Sequence, residues 1–507
     1  MNTAALRTLV IYAIILPLAV FIGWMLSGDM TKTNFSVLAA IVFILLLPVL
    51  LKWHYTAMLF AWNSSITIFF LPGQPALWMV MAAITVGIAI LYRIIEKRPA
   101  FIPAPSISVS ILCLLGVVIF TAMLRGGIGI RAFGAATYGG KAYYFIIATV
   151  IAYFALVSRP IAPKQVPLYL GLFFLPGLLG ILSHLVYYAG PSFYILYTIL
   201  PSGFAGFQAM TETTSMVRIG GLWAASSAIT NYLLAINGVR GIMGSGWRIS
   251  LLLLALAMGT FGGFRSVLVS FAIVFALLFI MEGLLRSPLF PAFLLAGALG
   301  FALLMPIASK LPMSVQRTLS ILPLELNPIA KRDAEGSVDW RLQIWKVMMP
   351  ELHNYTWFGK GFALNPTDVY LTEQAVLRHR APSYAGAKLA GDYHSGPLSV
   401  FVPFGGIGSV FFLIFIAMCL RALHLNYRYS SPETLLTNRF LYAYFLTRLT
   451  FFLGVFGSFS YDLCHFVGCI GLSIALNRGI RQRSQTLVQP VRFRGNLKLR
   501  EPQPSPA

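Results

Sequence analysis

Three short segments of this chain carry the side chains best suited to chemistry. They contain Arg265, in Gly262-Gly263-Phe264-Arg265-Ser266, Arg341, in the segment 338–349, and His394, in Tyr393-His394-Ser395-Gly396. A guanidinium group in a nearly dry setting needs an anionic partner, which can be a carboxylate, a phospholipid headgroup or a diphosphate. A neutral histidine at a boundary between water and membrane can act as a general base. Together these residues predict an anion site beside a proton acceptor.

Each of these residues also has a simpler interpretation. The segment 338–349 predicts an amphipathic helix, ended by Pro350, on which Arg341 and Trp345 share a face. This helix could lie on the membrane surface with Arg341 toward a lipid headgroup, or Arg341 could simply be solvated. His394, with Asp392 two residues before it, could merely cap the next helix.

Further candidates for substrate binding lie in the same region of the chain. In Gly359-Lys360-Gly361-Phe362, the two glycines allow either a tight turn or a close approach of the backbone to a ligand. Arg378, His379 and Arg380 form a basic patch that could hold an anion or could be a solvated face. The predicted substrate-binding residues are Trp345, Gly359, Gly361, Asp392, Arg378 and Arg380, and no residue is assigned to a metal.

A second charged group lies in the last two apolar segments. Arg448 and Asp462 fall at similar depth, with His465 about one turn beyond Asp462. Burying either charge alone would be expensive, so we expect the two to pair. We interpret the pair as a structural ion pair, and a proton relay is the alternative.

The composition identifies the elements that must position these residues as membrane helices. The chain has 507 residues, of which 58% are hydrophobic and 10% charged, with a mean hydropathy of +0.80. Soluble domains carry roughly 25% charged residues. The sequence therefore predicts an all-α, polytopic transmembrane helical bundle of about 12 to 14 spans. A count of fourteen places the starts near Thr8, Thr33, Tyr55, Ala76, Ile107, Ala142, Val166, Arg218, Ile249, Ser266, Pro288, Pro397, Leu436 and Gly457.

The distribution of basic residues predicts the orientation of this bundle. With fourteen spans most Lys and Arg fall on one face, which is cytoplasmic by the positive-inside rule. Both termini are then cytoplasmic, and the long loop 308–395 lies outside. The stretch Pro191 to Met210 is broken by proline and glycine and predicts a re-entrant or external element. If it spans, the count becomes odd and the termini lie on opposite faces.

These boundaries divide the chain into four parts. We expect N-terminal transmembrane helices in 1–307, a catalytic loop containing short helices in 308–395, C-terminal transmembrane helices in 396–477 and a disordered basic tail in 478–507. The loop holds eight of the fifteen acidic residues, which a pure scaffold would not need.

The net charge of +22 indicates a membrane partner rather than nucleic acid. The basic residues cluster at span ends and in the tail, where anionic lipid attracts them by roughly 1 kcal/mol each. No basic and aromatic motif for nucleic acid is present. The four cysteines lie in apolar runs without zinc or redox spacing, which indicates packing.

In their order along the chain, four segments resemble the pattern of the O-antigen ligase superfamily. They are GGFRS at Arg265, RLQIW at Arg341, GKGF at Gly359 and HSGPLSVFVPFGGIG at His394. The resemblance covers roughly 251–408. The superfamily includes O-antigen ligases, O-antigen polymerases and bacterial O-linked oligosaccharyltransferases. The chain departs from the usual Ser-Arg-Gly at Phe264 and Ser266, and from the usual His-Asn at Ser395.

The resemblance implies a fold, a reaction and a location. Members are all-helical glycosyltransferases that work without a metal or other cofactor at the periplasmic face of the bacterial inner membrane. They move a glycan from an undecaprenyl-diphosphate carrier to a glycan, lipid or protein acceptor. By position, Arg265 and Arg341 would grip the diphosphate and His394 would activate or position the acceptor. The long loop would then cover a lipid-diphosphate site.

Two other classes compete with this interpretation. A transporter or flippase of lipid-linked glycan would also have many spans and buried charges. Such transporters usually show paired halves, and this sequence shows no such symmetry, nor would transport explain the loop. A membrane scaffold is the third possibility and should tolerate loss of His394. The pattern leaves open whether the enzyme ligates, polymerises or glycosylates protein.

Overall fold

The computed structural model describes residues 16–24, 27, 32–69, 71, 73–97, 99–129, 135–212, 217–382 and 384–482. Their regular structure is helical, and the β-structure within these ranges consists of two isolated bridges. The all-helical fold is therefore confirmed. The start of the first predicted span, near Thr8, and the basic tail beyond residue 482 lie outside the described residues.

After a helical stretch at 16–24, the α-helices are numbered in chain order from the next one. They are α1 Lys32–Trp62, α2 Leu77–Glu96, α3 Pro105–Arg125, α4 Gly140–Leu156, α5 Val166–Phe174, α6 Leu179–Ala189, α7 Gly203–Glu212, α8 Gly220–Met243, α9 Gly246–Phe261, α10 Arg265–Met281, α11 Leu289–Leu304, α12 Met313–Leu319, α13 Pro328–Met348, α14 Pro366–Leu377, α15 Ala385–Ala390, α16 Gly396–Arg428, α17 Pro432–Gly454 and α18 Phe459–Asn477.

The helices identify a multi-pass membrane protein. In the described part of the chain, six helical segments are long and apolar enough to cross a membrane, and four shorter apolar helices accompany them. Only helices can satisfy their own backbone in hydrocarbon without closing into a barrel. The six segments are Leu45–Trp62, Leu77–Glu96, Pro105–Arg125, Pro163–Ala189, Gly396–Arg428 and Phe459–Asn477. The count of 12 to 14 spans stays a prediction.

One pair of predicted spans is wrong. The spans placed near Thr33 and Tyr55 are a single helix, α1, which ends only at Trp62. Lys52 lies within this helix because a long basic side chain can reach outward without breaking the backbone. Pro48 also lies inside it, a position that membrane helices tolerate.

The stretch Pro191 to Met210 was predicted to be broken by proline and glycine, and the structure shows that it is not one continuous helix. It consists of a 3-10 helix, Pro191–Thr198, followed by α7. The Ser183 hydroxyl on α6 donates to the Pro201 carbonyl at 2.6 Å, and this bond holds the bend between the two.

The centre of the bundle is α18, whose side chains are almost all buried from Phe459 to Leu476. It packs against α4 and α17, while α3 packs along α16, and α8 packs against α9 and α17. These helices form one continuous apolar core. Rigid packing of this kind fixes the ends of α10, α16 and α17, where the candidate residues lie.

A second, smaller core joins the long loop to the bundle. Ile344 and Met348 of α13 are buried against Tyr393, Leu398 and Val402 at the start of α16. The helix α13 begins ten residues earlier than the predicted 338–349, because the Asn327 side chain caps it by accepting from the Ile329 N–H at 2.9 Å. The 21-residue helix therefore extends well beyond the part that packs in this second core.

Candidate functional site

Arg265 is the first residue of α10, directly after a tight turn. Gly263 has a φ of 77°, which a side-chain-bearing residue rarely adopts, and this conformation lets the chain reverse between α9 and α10. One Nη atom of Arg265 donates to the Ala334 carbonyl at 2.7 Å. The apolar helix α10 is thereby tied to α13, the helix that carries Arg341.

Arg317, on α12, lies beneath this connection with its side chain only 5% exposed. Its Nε donates to Asp333, one Nη donates to the Gly263 carbonyl, and the other donates to the Ser337 hydroxyl at 2.9 Å. Three of its nitrogens thus bond to two different elements, the turn before Arg265 and α13.

Arg218, just before α8, shares the carboxylate of Asp333 with Arg317 and donates to it at 3.2 Å. Burial opposes the ionised form of Asp333, but the hydrogen bond and charge of Arg317 and the charge of Arg218 outweigh it. The pKa of this carboxyl therefore lies below its ordinary value.

We call Arg218, Arg265, Arg317 and Arg341 the arginine cluster, because these four charges act on one another. Burial, and then the charges of Arg317 and Arg218, lower the pKa of Arg341 below its ordinary value. Among the described residues, neither Arg265 nor Arg341 has a carboxylate within ion-pair distance. The arrangement therefore favours an additional anion.

Arg341 reaches the loop between α17 and α18. One Nη lies 3.5 Å from the Val455 carbonyl, and the guanidinium carbon is 5.8 Å from the centre of the Phe456 ring. The side chain is half-buried rather than solvated. Arg341 is therefore not simply solvated, because it has specific partners within the protein.

His394 precedes α16 and contacts the same phenyl ring as Arg341. Its imidazole meets Phe456 edge-on at 4.9 Å and Trp340 at 4.8 Å between ring centres. Nε2 lies 3.2 Å from an Asp392 carboxylate oxygen. Nδ1 is buried and has no hydrogen-bond partner in the part of the chain that the structure describes.

This pairing determines which imidazole nitrogen is available for chemistry. If Nε2 carries the hydrogen and donates it to Asp392, Nδ1 keeps its lone pair, and the imidazole ring itself lies between the Trp340 and Phe456 rings. A buried nitrogen without a partner is costly unless a ligand satisfies it. It is therefore the atom positioned to take a proton.

The neighbours of His394 are fixed on the other side by Tyr393 and Trp345. Trp345 donates its indole N–H to the Tyr393 carbonyl at 3.0 Å, and the Tyr393 ring is completely buried. His394 itself has a φ of 48°, an unfavourable conformation that this anchoring must maintain. Trp345, predicted to bind substrate, here contacts the residue before His394.

Gly359 and Gly361 lie against a break in α16. Gly405 has a φ of 69° and interrupts that helix two residues after Pro403. The segment 356–361 supplies the missing hydrogen bonds: Lys360 and Gly361 donate to Val402 and Pro403, and Gly406 and Ile407 donate to Thr356 and Trp357. A Cβ at Gly359 would lie 2.0 Å from the Pro403 carbonyl carbon. The glycines thus allow a close approach to protein backbone.

The remaining predicted binding residues lie on the exterior of the loop. Arg378 and Arg380 are exposed at the end of α14, and within the described ranges neither contacts Arg265, Arg341 or His394. Nearby, α14 and α15 border an apolar cavity of about 460 Å³ that also touches Tyr138 and Leu364. None of the three candidate catalytic residues lines that cavity.

Two members of the arginine cluster, Arg218 and Arg317, were missed as site residues. The sequence pattern indicates Arg218 only as the start of a span, and it assigns no role to Arg317. In the structure Arg317 lies in Val315-Gln316-Arg317-Thr318-Leu319, all of which is buried, and the sequence pattern does not indicate this burial. No three His, Cys, Asp or Glu side chains form a metal-binding group in the described ranges.

The second charged group predicted from sequence forms an ion pair. Arg448 donates to Asp462 at 2.7 Å, and the other carboxylate oxygen accepts from the Ser458 N–H at 2.9 Å. This bond caps the start of α18, as a structural pair would.

Comparison with known protein families supports the resemblance noted in the sequence. Residues 233–413 match the family model described as O-antigen ligase, a stretch that includes Arg265, Arg341 and His394. The resemblance to the O-antigen ligase superfamily is thereby confirmed over these residues. No curated protein matches the chain.

Proposed function

We propose that this protein belongs to the O-antigen ligase superfamily and transfers a glycan from an undecaprenyl-diphosphate carrier to an acceptor at the periplasmic face of the inner membrane. The observation that carries the proposal is the arginine cluster next to His394, with Phe456 contacting both Arg341 and His394. The match of residues 233–413 to the O-antigen ligase family model supports an O-antigen ligase or polymerase type of membrane protein.

The donor would bind through its diphosphate. Arg265 and Arg341 have no carboxylate partner in the described ranges, and their guanidinium forks match phosphate oxygens. When the bond between the anomeric carbon and the diphosphate oxygen breaks, negative charge grows on the leaving group. Preorganised cations in a partly buried site stabilise that charge and can replace a metal in this role.

The acceptor would be activated at His394. Nδ1 takes the proton of an acceptor hydroxyl while its oxygen attacks the anomeric carbon, and the undecaprenyl diphosphate leaves. The Asp392 carboxylate, 3.2 Å from Nε2, holds the required tautomer. The step needs one base and two cations, which His394, Arg265 and Arg341 would supply.

The test compares alanine variants of Arg265, Arg341 and His394 with Arg332→Ala, an exposed arginine on α13 that serves as the control. With purified protein, lipid-linked glycan and acceptor, we expect each of the three to lose transfer by more than about 100-fold. The control should transfer normally, and all four should insert at normal levels. Full activity in the three site variants would contradict the proposal.

Analysis of surface polysaccharide in a strain lacking the gene separates the possible reactions. Missing long chains on an intact lipopolysaccharide core would indicate a ligase, and a core carrying a single repeat would indicate a polymerase. If lipid-linked glycan instead crosses vesicle membranes without covalent product, the protein is a transporter or flippase and the proposed reaction is wrong.

A further inference from the structure

We infer that Arg317 is a positioning residue, which fixes the spacing between Arg265 and Arg341 without itself binding the donor. The inference rests on the proposed function, because it assigns those two arginines to the diphosphate. The geometry that carries it is one buried guanidinium hydrogen-bonded both to the turn before Arg265 and to the helix that carries Arg341.

The first step concerns what Arg317 has left to offer a ligand. Its side chain is 5% exposed, and its Nε and both Nη atoms already donate to protein oxygens. A diphosphate could reach it only by displacing Asp333 or Ser337 inside the protein. Arg341, in contrast, is half-buried and holds a carbonyl at the longer distance of 3.5 Å.

The second step concerns what these bonds hold. Gly263 lies two residues before Arg265, and Ser337 lies one helical turn before Arg341. The two functional arginines come from chain segments about 75 residues apart, so no local structure sets their separation. Arg317 bridges them through a planar fork whose directions are rigid, which a lysine ammonium cannot reproduce.

The third step is electrostatic. A buried guanidinium is stable only if its charge is paired, and Asp333 supplies that charge while also engaging Arg218. One carboxylate therefore connects α12, α13 and the start of α8. Removing Arg317 would release both the Gly263 turn and Asp333.

The experiment measures kcat and the donor KM for Arg317→Lys and Ser337→Ala, with Arg332→Lys, at an exposed position on α13, as the control. A displacement of about 1 Å can cost about 100-fold in rate. We expect Arg317→Lys to lower kcat by about 100-fold and to change the donor KM by less than about threefold. Ser337→Ala removes one bond and should lower kcat by about fivefold.

A second measurement does not depend on activity. Hydrogen exchange followed by mass spectrometry should show faster exchange at 262–267 and 333–337 in Arg317→Lys, and no change in Arg332→Lys. A raised donor KM with unchanged kcat would make Arg317 a ligand and overturn the inference. So would unchanged exchange. If wild-type protein shows no transfer, the proposed function fails, while the exchange result still decides whether Arg317 holds the two segments in place.

Discussion

The guanidinium of Arg265 donates to the carbonyl oxygen of Ala334 at 2.7 Å, seven residues before Arg341 on the same helix. This bond places the start of an apolar helix against a helix of the long loop. The candidate site is therefore formed where bundle and loop meet. Neither part alone contains both arginines, and His394 joins them from the start of α16.

Replacing the shared ring is the most direct test of this junction. Phe456→Leu keeps an apolar side chain but removes the ring that contacts Arg341 and His394. Each contact contributes about 0.5 to 1.5 kcal/mol, so we expect transfer to fall roughly tenfold. Steady-state kinetics measure the effect, and Phe193→Leu on the distant 3-10 helix is the control. A loss equal in both variants would contradict the shared role.

Substituting Asp392 should lower kcat less than substituting His394. Its side chain is 55% exposed, so water screens its charge and its contribution is modest. Asp392→Asn can still accept from Nε2, and we expect a loss of roughly threefold to tenfold in kcat. His394→Gln should lose more than about 100-fold. Equal losses in the two variants would show that Asp392 has a direct part in proton transfer.

The sequence was sufficient to predict the elements that obey strong local rules. Long apolar runs had to be helices, and the interruption of the stretch Pro191 to Met210 followed from Pro201 and Gly203. The helix through Arg341 was also predicted, although its start was not, because Asn327 lies in an otherwise featureless turn. The merging of the spans predicted near Thr33 and Tyr55 into α1 shows that hydropathy alone does not fix where one helix ends and the next begins.

The contacts of the site could not be predicted from the sequence, because they join segments that are far apart in the chain. Arg317 bonds to Gly263 and Asp333, and nothing in their spacing indicates that they meet. The glycines Gly359 and Gly361 were recognised as allowing a close approach, but the partner is the broken helix α16. A pattern can indicate that backbone comes near something without indicating what.

Asp333 makes stability depend on pH in the acidic range. Its pKa is lowered in the folded protein, so its stabilisation is present above its unfolded pKa, about 3.9, and is lost as pH falls through the folded value. We expect Asp333→Asn to unfold at lower temperature than wild type at pH 7. The difference in unfolding temperature between the two proteins should narrow between pH 5 and pH 3.

Thermal unfolding of both proteins across that pH range measures the gap. Glu335→Gln, at an exposed position on the same helix, is the control and should match wild type throughout. Other carboxylates titrate in the same range, and the comparison of variants removes their common contribution. A gap that stays constant down to pH 3 would show that the ionised carboxylate is not what stabilises the cluster.

Gly359 should be the glycine of the loop least tolerant of a side chain. A Cβ there would lie 2.0 Å from the Pro403 carbonyl carbon and 2.3 Å from the Phe404 nitrogen, both backbone atoms that cannot move aside. Gly359→Ala must therefore displace the segment 356–361 from the break in α16. That movement would remove the hydrogen bonds from Lys360 and Gly361 to Val402 and Pro403.

We expect this substitution to destabilise the protein by about 3 kcal/mol or more, as overpacking against backbone does. Gly386→Ala, in the helix α15, is the matched control, because its Cβ meets nothing within 4 Å. There alanine should be neutral or slightly stabilising, since it favours helix over glycine by roughly 1 kcal/mol. Thermal unfolding measures both. Because the broken helix begins two residues after His394, Gly359→Ala should also lower glycan transfer. Equal stability of the two variants would show that the loop does not fill the break.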